Sequence, residues 1–143
     1  MASVLIVDRS LPSRISLAGF LAEVGFDVRE ADDGEAALQD LANSGLPDLV
    51  FFEWNMEPMS GASFLQHVRD NPASVRLPML VLTAVTSRNA VVQAGMIGVQ
   101  GYIIKPFGRA EIAARIAALD LVGHGTRAVQ SRCRLLVAGQ TSS

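Results

Sequence analysis

The sequence holds one cysteine, Cys133, and one lysine, Lys105. A single thiol excludes a disulfide framework and a cysteine-rich zinc site. No apolar run approaches the ~18–20 residues that a membrane span needs. The N-terminus has no basic stretch followed by an apolar one, so no secretory signal is expected and the cytosol is the expected setting. Acids are missing from one region: residues 121–143 carry Arg127, Arg132 and Arg134 and no Asp or Glu, whereas residues 1–120 carry 14 acids against 9 bases. A basic tail on an acidic body implies that the tail has its own, anionic partner.

What remains is ordinary globular material. Half of the 143 residues are hydrophobic, enough for one domain with a core that needs neither disulfides nor metal. Strand-like and helix-like segments alternate. Ser3–Asp8, Asp48–Glu53 and Met79–Thr83 are short apolar runs of the kind buried in parallel sheets. Phe26–Glu30 reads as an outer strand and Gln100–Ile104 as a fifth. Between them lie helical patterns. Ser10 caps one that carries Pro12 near its start and ends at Gly25, and Asp33 caps a second over Glu35–Ala42. Others are expected over Ala62–Arg69, Thr86–Ile97 and Gly108–Leu121. Five strands in strict alternation with five helices demand a parallel sheet covered on both faces, joined by right-handed crossovers. A boundary is expected at Gly123-His124-Gly125, giving a body of residues 1–122 and an arginine-rich tail of 123–143 with no assigned structure.

In such sheets the site lies beyond the carboxyl ends of the central strands. The residues there are Asp8 and Arg9, Glu53, Thr83 and Lys105: two carboxylates, a guanidinium, a hydroxyl and an ammonium. Enzyme readings find little support. There is no dinucleotide-binding glycine motif, no phosphate-binding P-loop and no nucleophile elbow, and no His/Cys/Asp cluster has ligand spacing. Neither a catalytic residue nor a metal site is expected.

Four blocks carry a likeness: Val7-Asp8-Arg9-Ser10, Phe52-Glu53-Trp54-Asn55-Met56, Val81-Leu82-Thr83-Ala84 and Tyr102-Ile103-Ile104-Lys105-Pro106-Phe107. Together they resemble the receiver domain of bacterial response regulators, the CheY-like family, over about residues 3–121. The resemblance implies a flavodoxin-like (βα)5 fold with strand order 2-1-3-4-5. It also implies a phosphoryl-accepting aspartate where Glu53 stands, a Mg²⁺-binding acidic pair where Asp8-Arg9 stands, and a switch pair in Thr83 and Tyr102. The departures at Glu53 and Arg9 change the expected chemistry. Mg²⁺ wants an octahedral oxygen shell with one or two carboxylates. Arg9 removes a carboxylate and is expected to take the metal's place, pairing with Asp8 or Glu53. The extra methylene of Glu53 moves its oxygens outward by ~1.5 Å, which spoils the alignment that phosphoryl transfer needs. The domain is therefore expected neither to bind Mg²⁺ well nor to be phosphorylated, and Glu53 is expected to reach toward Thr83 and Lys105 and partly imitate the phosphorylated state.

Each residue also has a plainer reading. Glu53 and Arg9 could form a structural ion pair, Thr83 could be an ordinary strand-end hydroxyl, and Lys105 a surface lysine. Trp54 and Met56 are expected to pack the loop, His67 to be exposed and Cys133 to be inert.

Arginine grips phosphate or the guanine edge with a planar fork and stacks on bases. On Arg127, Arg132 and Arg134, with Gln130 and Ser131 beside them, the tail resembles the arginine-rich extension of the Cle class of CheY-like proteins. That likeness implies cyclic di-GMP as ligand and a protein target such as the flagellar motor switch, met through the face of helix four, strand five and helix five. Neither DNA binding nor membrane insertion is expected. Two alternatives stand beside it: a constitutive interaction module with an inert tail, and a conventional phosphorelay receiver.

Overall fold

The computed structural model describes residues 1–84 and 87–141. Five parallel strands form one sheet: β1 (Ser3–Val7), β2 (Asp27–Ala31), β3 (Leu49–Glu53), β4 (Met79–Thr83) and β5 (Gly101–Ile104), in the order β2-β1-β3-β4-β5. Five helices connect or follow them: α1 (Leu11–Glu23), α2 (Gly34–Asn43), α3 (Gly61–Asp70), α4 (Arg88–Ile97) and α5 (Arg109–Ala117). A sixth, α6 (Thr126–Thr141), closes the chain. The fold is thus the flavodoxin-like α/β class with a C-terminal helical extension. Among the described residues no helix is long and apolar enough to cross a membrane.

The inner strands β1, β3 and β4 are almost wholly apolar because both of their faces are covered, whereas the edge strand β2 carries Asp27, Arg29 and Glu30. Successive side chains point to opposite faces, and the core divides accordingly. Val4, Ile6, Phe51, Leu80, Leu82 and Ile103 face α1, α5 and α6, where they meet Leu17, Phe20, Ile112, Ile116, Val129 and Cys133. Leu5, Val7, Val50, Phe52, Met79 and Val81 face α2, α3 and α4, where they meet Ala37, Phe64, Leu65 and Ala94. Phe51, Phe52 and Phe64 are among the largest wholly buried side chains.

Local chemistry sets most helix starts. Ser10, Asp33, Ser60 and Ser87 each accept a bond from the amide three residues on, and Pro12 lies in the first turn of α1, so orphan helix N–H groups are satisfied. The helix expected from Thr86 begins at Arg88 behind its Ser87 cap; Thr86 itself lies outside the described residues. The helix expected to run to Leu121 stops at Ala117. The Gln130 side-chain amide donates to the carbonyls of Ile116, in its last turn, and of Leu119, just beyond it, at 2.9 and 2.8 Å.

The tail is the main departure from the sequence reading. It forms the α6 helix, and Val129 and Cys133 sit in the same core as the sheet. The glycine pair that was expected to release the chain instead packs it down. Gly125 has φ +87° and lies against the Ala2 backbone amide, while Gly123 lies against the Asp48 carboxylate. A Cβ at Gly125 would come within 2.8 Å of that amide. The positive φ and the close approach both call for glycine.

Candidate functional site

Four strand ends converge. β1 delivers Asp8, held at the sheet edge by the bond from its amide to Ala31 O at 3.1 Å. β3 ends in Glu53 and β4 in Thr83, and Lys105 follows β5 with its amide bonded to Thr83 O at 2.8 Å. Asp8, Glu53 and Thr83 are 2, 8 and 0 % exposed.

The ammonium of Lys105 lies between the two carboxylates. Its Nζ is 2.6 Å from Asp8 Oδ2 and 3.0 Å from Glu53 Oε1. The remaining carboxylate oxygens are also engaged: Asp8 Oδ1 accepts from the Ser10 amide at 2.9 Å and Glu53 Oε2 from the Asn55 amide at 3.0 Å. All four oxygens therefore have a donor, which is what makes two carboxylates tolerable in so dry a place. Burial alone would depress the pKa of Lys105, but its bonds to Asp8 and Glu53 and their charges outweigh that and hold it above its ordinary value.

Arg9 does not behave as expected. It pairs with neither Asp8 nor Glu53; its Nη1 donates to Glu57 O at 2.8 Å, on the exposed rim. The reason is economy of desolvation: the smaller ammonium of Lys105 already satisfies both acids, and a surface carbonyl accepts the guanidinium without burying it. The cation the sequence reading overlooked is Arg14. Its Nη1 donates to Asp8 O at 2.6 Å and its Nε pairs with Glu30 at 3.1 Å, fixing the turn that aims Asp8. The one cation of α1, a single turn into the helix and on the side of the Asp8 turn, was the available signal.

Thr83 is wholly buried at the end of β4. Tyr102 is half-buried against the α2–α3–α4 core, and burial, then the charge of Glu53, raises its pKa. Met56 is buried and Trp54 packs against Phe52 with ring centroids 6.4 Å apart. His67 is exposed, with Nδ1 2.7 Å from Ser63 O. Cys133 is buried, and desolvation pushes its thiol up to about 11.

The donor set does not fit a divalent cation. Mg²⁺ would have to displace an ammonium bonded to both carboxylates, and the neighbour of Asp8 is a guanidinium, not a third acid. Among the described residues no three His, Cys, Asp or Glu side chains are grouped to hold a metal ion.

The five tail residues are not gathered at one place. Gln130 is 8 % exposed and caps α5. Arg132 Nη1 donates to Val24 O, at the C-terminal end of α1, at 3.2 Å. Arg127 and Arg134 are exposed, with Arg134 Nη2 3.3 Å from Ser131 Oγ. At 3.6 residues per turn, Arg127, Ser131 and Arg134 share one outer face, and Gln130 and Arg132 do not.

Comparison with known proteins places these features. Residues 4–117 match the family described as Response regulator receiver domain. Chemotaxis protein CheY of Pseudomonas aeruginosa is 39 % identical over 105 residues, which cover 73 % of this chain and 84 % of that one. Chemotaxis protein CheY-3 of Vibrio cholerae is 36 % identical over 114 residues, covering 79 % and 87 %. Among solved structures, Vibrio cholerae chemotaxis protein CheY4 superposes with a TM-score of 0.75 at 31 % identity, covering 80 % of this chain and 94 % of that one.

Proposed function

This chain belongs to the response regulator receiver domain family, and from that premise we propose that it is a CheY-like, non-enzymatic signalling protein that works without phosphorylation. The observation that carries this reading is the Asp8–Lys105–Glu53 bridge, in which every carboxylate oxygen is already bonded. Phosphoryl transfer needs a free, aligned oxygen and a cation to neutralise developing charge. Here the acceptor is a glutamate closed on its own ammonium, and Arg9 stands where a metal would want an acid. The bridge is internal to the chain, so the crevice is filled without a phosphoryl group.

Its output is contact with another protein in the cytoplasm. Val91, Val92 and Met96 on α4 and Ile104 on β5 are exposed apolar side chains, and Ala114 and Arg115 of α5 are exposed as well. α6 packs on α5 and on the end of α1, and leaves these side chains exposed. The relatives are named chemotaxis proteins, which favours a target such as the flagellar motor switch. Intact-mass measurement after incubation with acetyl phosphate and Mg²⁺ tests the reading. The wild type gains no phosphoryl group, and Arg9→Asp/Glu53→Asp gains one; a gain in the wild type makes this a conventional phosphorelay receiver.

A second reading adds a ligand. Arg127 and Arg134 stand two turns apart on one exposed face of a helix without acids, an arrangement that suits the two phosphates of cyclic di-GMP. Calorimetric titration shows heat that Arg127→Ala and Arg134→Ala abolish. No heat at tens of micromolar leaves a constitutive interaction module.

A further inference from the structure

α6 is weak as a helix and well fixed as a neighbour. It has no acid anywhere, so no intrahelical ion pair supports it. Arg127 puts a cation in its first turn, against the helix dipole. Gly139 lies inside it. A helix of this length is marginal by itself, so docking holds it in shape. The apolar part of that docking is narrow: Val129 and Cys133 are buried and Val137 partly so. Gln130 ties it to α5 and Arg132 ties it to α1.

The two ties differ in kind. Gln130 is buried, whereas Arg132 is exposed and lines a groove of about 290 Å³ with Glu23, Val24, Arg109, Leu135 and Leu136. Glu23 is already neutralised by Arg109 at 2.7 Å. Two guanidiniums against one carboxylate leave the groove cationic, so an anion can approach Arg132 there. The backbone also makes room for this tie: Gly25 has φ +111°, and a Cβ on it would come within 2.5 Å of Arg132 Nη1.

We propose that α6 is a latch released by anions: Arg132 holds either the Val24 carbonyl or an anionic phosphate group, and the second choice frees α6 and uncovers the apolar wall of α1 and α5. The carbonyl at Val24 is a neutral acceptor, and a polyphosphate is a stronger partner for the same fork. Undocking needs only the loss of a local unit, not of the sheet.

Cys133 supplies the readout. It is the chain's one thiol and is wholly buried on the inner face of α6, so it reacts with an aromatic disulfide reagent only when α6 opens. The experiment follows thiol labelling of the full chain, wild type and Arg132→Ala, with sodium tripolyphosphate or with NaCl at equal ionic strength. Labelling of the wild type is slow, independent of urea at low concentration, and accelerated several-fold by tripolyphosphate but not by NaCl. Arg132→Ala labels roughly 5- to 10-fold faster than wild type, the worth of one such hydrogen bond, and tripolyphosphate leaves it unchanged. The latch is overturned by equal acceleration in NaCl, by equal acceleration in Arg132→Ala, or by labelling that follows global unfolding. It stands or falls apart from nucleotide capture, because calorimetry reads Arg127 and Arg134 while labelling reads Cys133.

Discussion

Replacing Lys105 by methionine removes the one cation between Asp8 and Glu53 and keeps most of the side-chain volume. Both carboxylates then remain buried with a single backbone amide each. Breaking a fully buried ion pair by removing one partner costs about 3–5 kcal/mol. The ammonium here retains 16 % exposure and water can reach it, so the expected loss at neutral pH is smaller, about 2–3 kcal/mol. For a chain of this size that is a fall in melting temperature of roughly 6–12 °C. The sign with pH is specific. In the variant, two carboxylates face each other uncompensated, so protonating one relieves the repulsion and the deficit shrinks as pH falls toward about 4. In the wild type the folded pKa of Lys105 is raised. Its contribution is therefore complete below the unfolded lysine value of about 10.4 and is lost as pH rises through the folded one. Urea unfolding of both proteins across this range measures it. A deficit below about 0.5 kcal/mol, the worth of an exposed pair, or one that does not change with pH, refutes the bridge as described.

Two further outcomes follow from close contacts. Gly61→Ala places a Cβ 2.5 Å from Trp54 Cα and 2.7 Å from Glu53 O, both backbone atoms, so the β3–α3 turn must shift. A loss of roughly 1–3 kcal/mol in urea unfolding is expected, with the Lys105-dependent alkaline transition weakened because Glu53 moves. Gln130→Leu removes the side-chain amide that the Ile116 and Leu119 carbonyls share, although Ile116 O keeps the Leu119 amide at 3.2 Å. It lowers stability by roughly 1–3 kcal/mol and speeds Cys133 labelling, while an unchanged labelling rate means that α5 and α6 are not joined through this side chain.

The alternation of β-branched runs with capped helices determined the sheet, its two covered faces and the strand ends where Asp8, Glu53, Thr83 and Lys105 meet. Those features are local: a short apolar run in a buried strand, a serine or aspartate at a cap, and a rule that sends parallel strands' ends to one crevice. The sequence could not say which cation would sit between the carboxylates. Arg9 and Lys105 were both candidates 96 positions apart, and only the packing of β5 beside β4 puts the ammonium within 2.6 Å of Asp8. It likewise counted three tail arginines as one group, because linear charge carries no helical phase. The docking of Val129 and Cys133 fixed that phase, turning Arg132 toward α1 and leaving Arg127 and Arg134 to solvent. Which side chains share a face is a property of the burial of their neighbours, and that burial exists only once the chain has closed on itself.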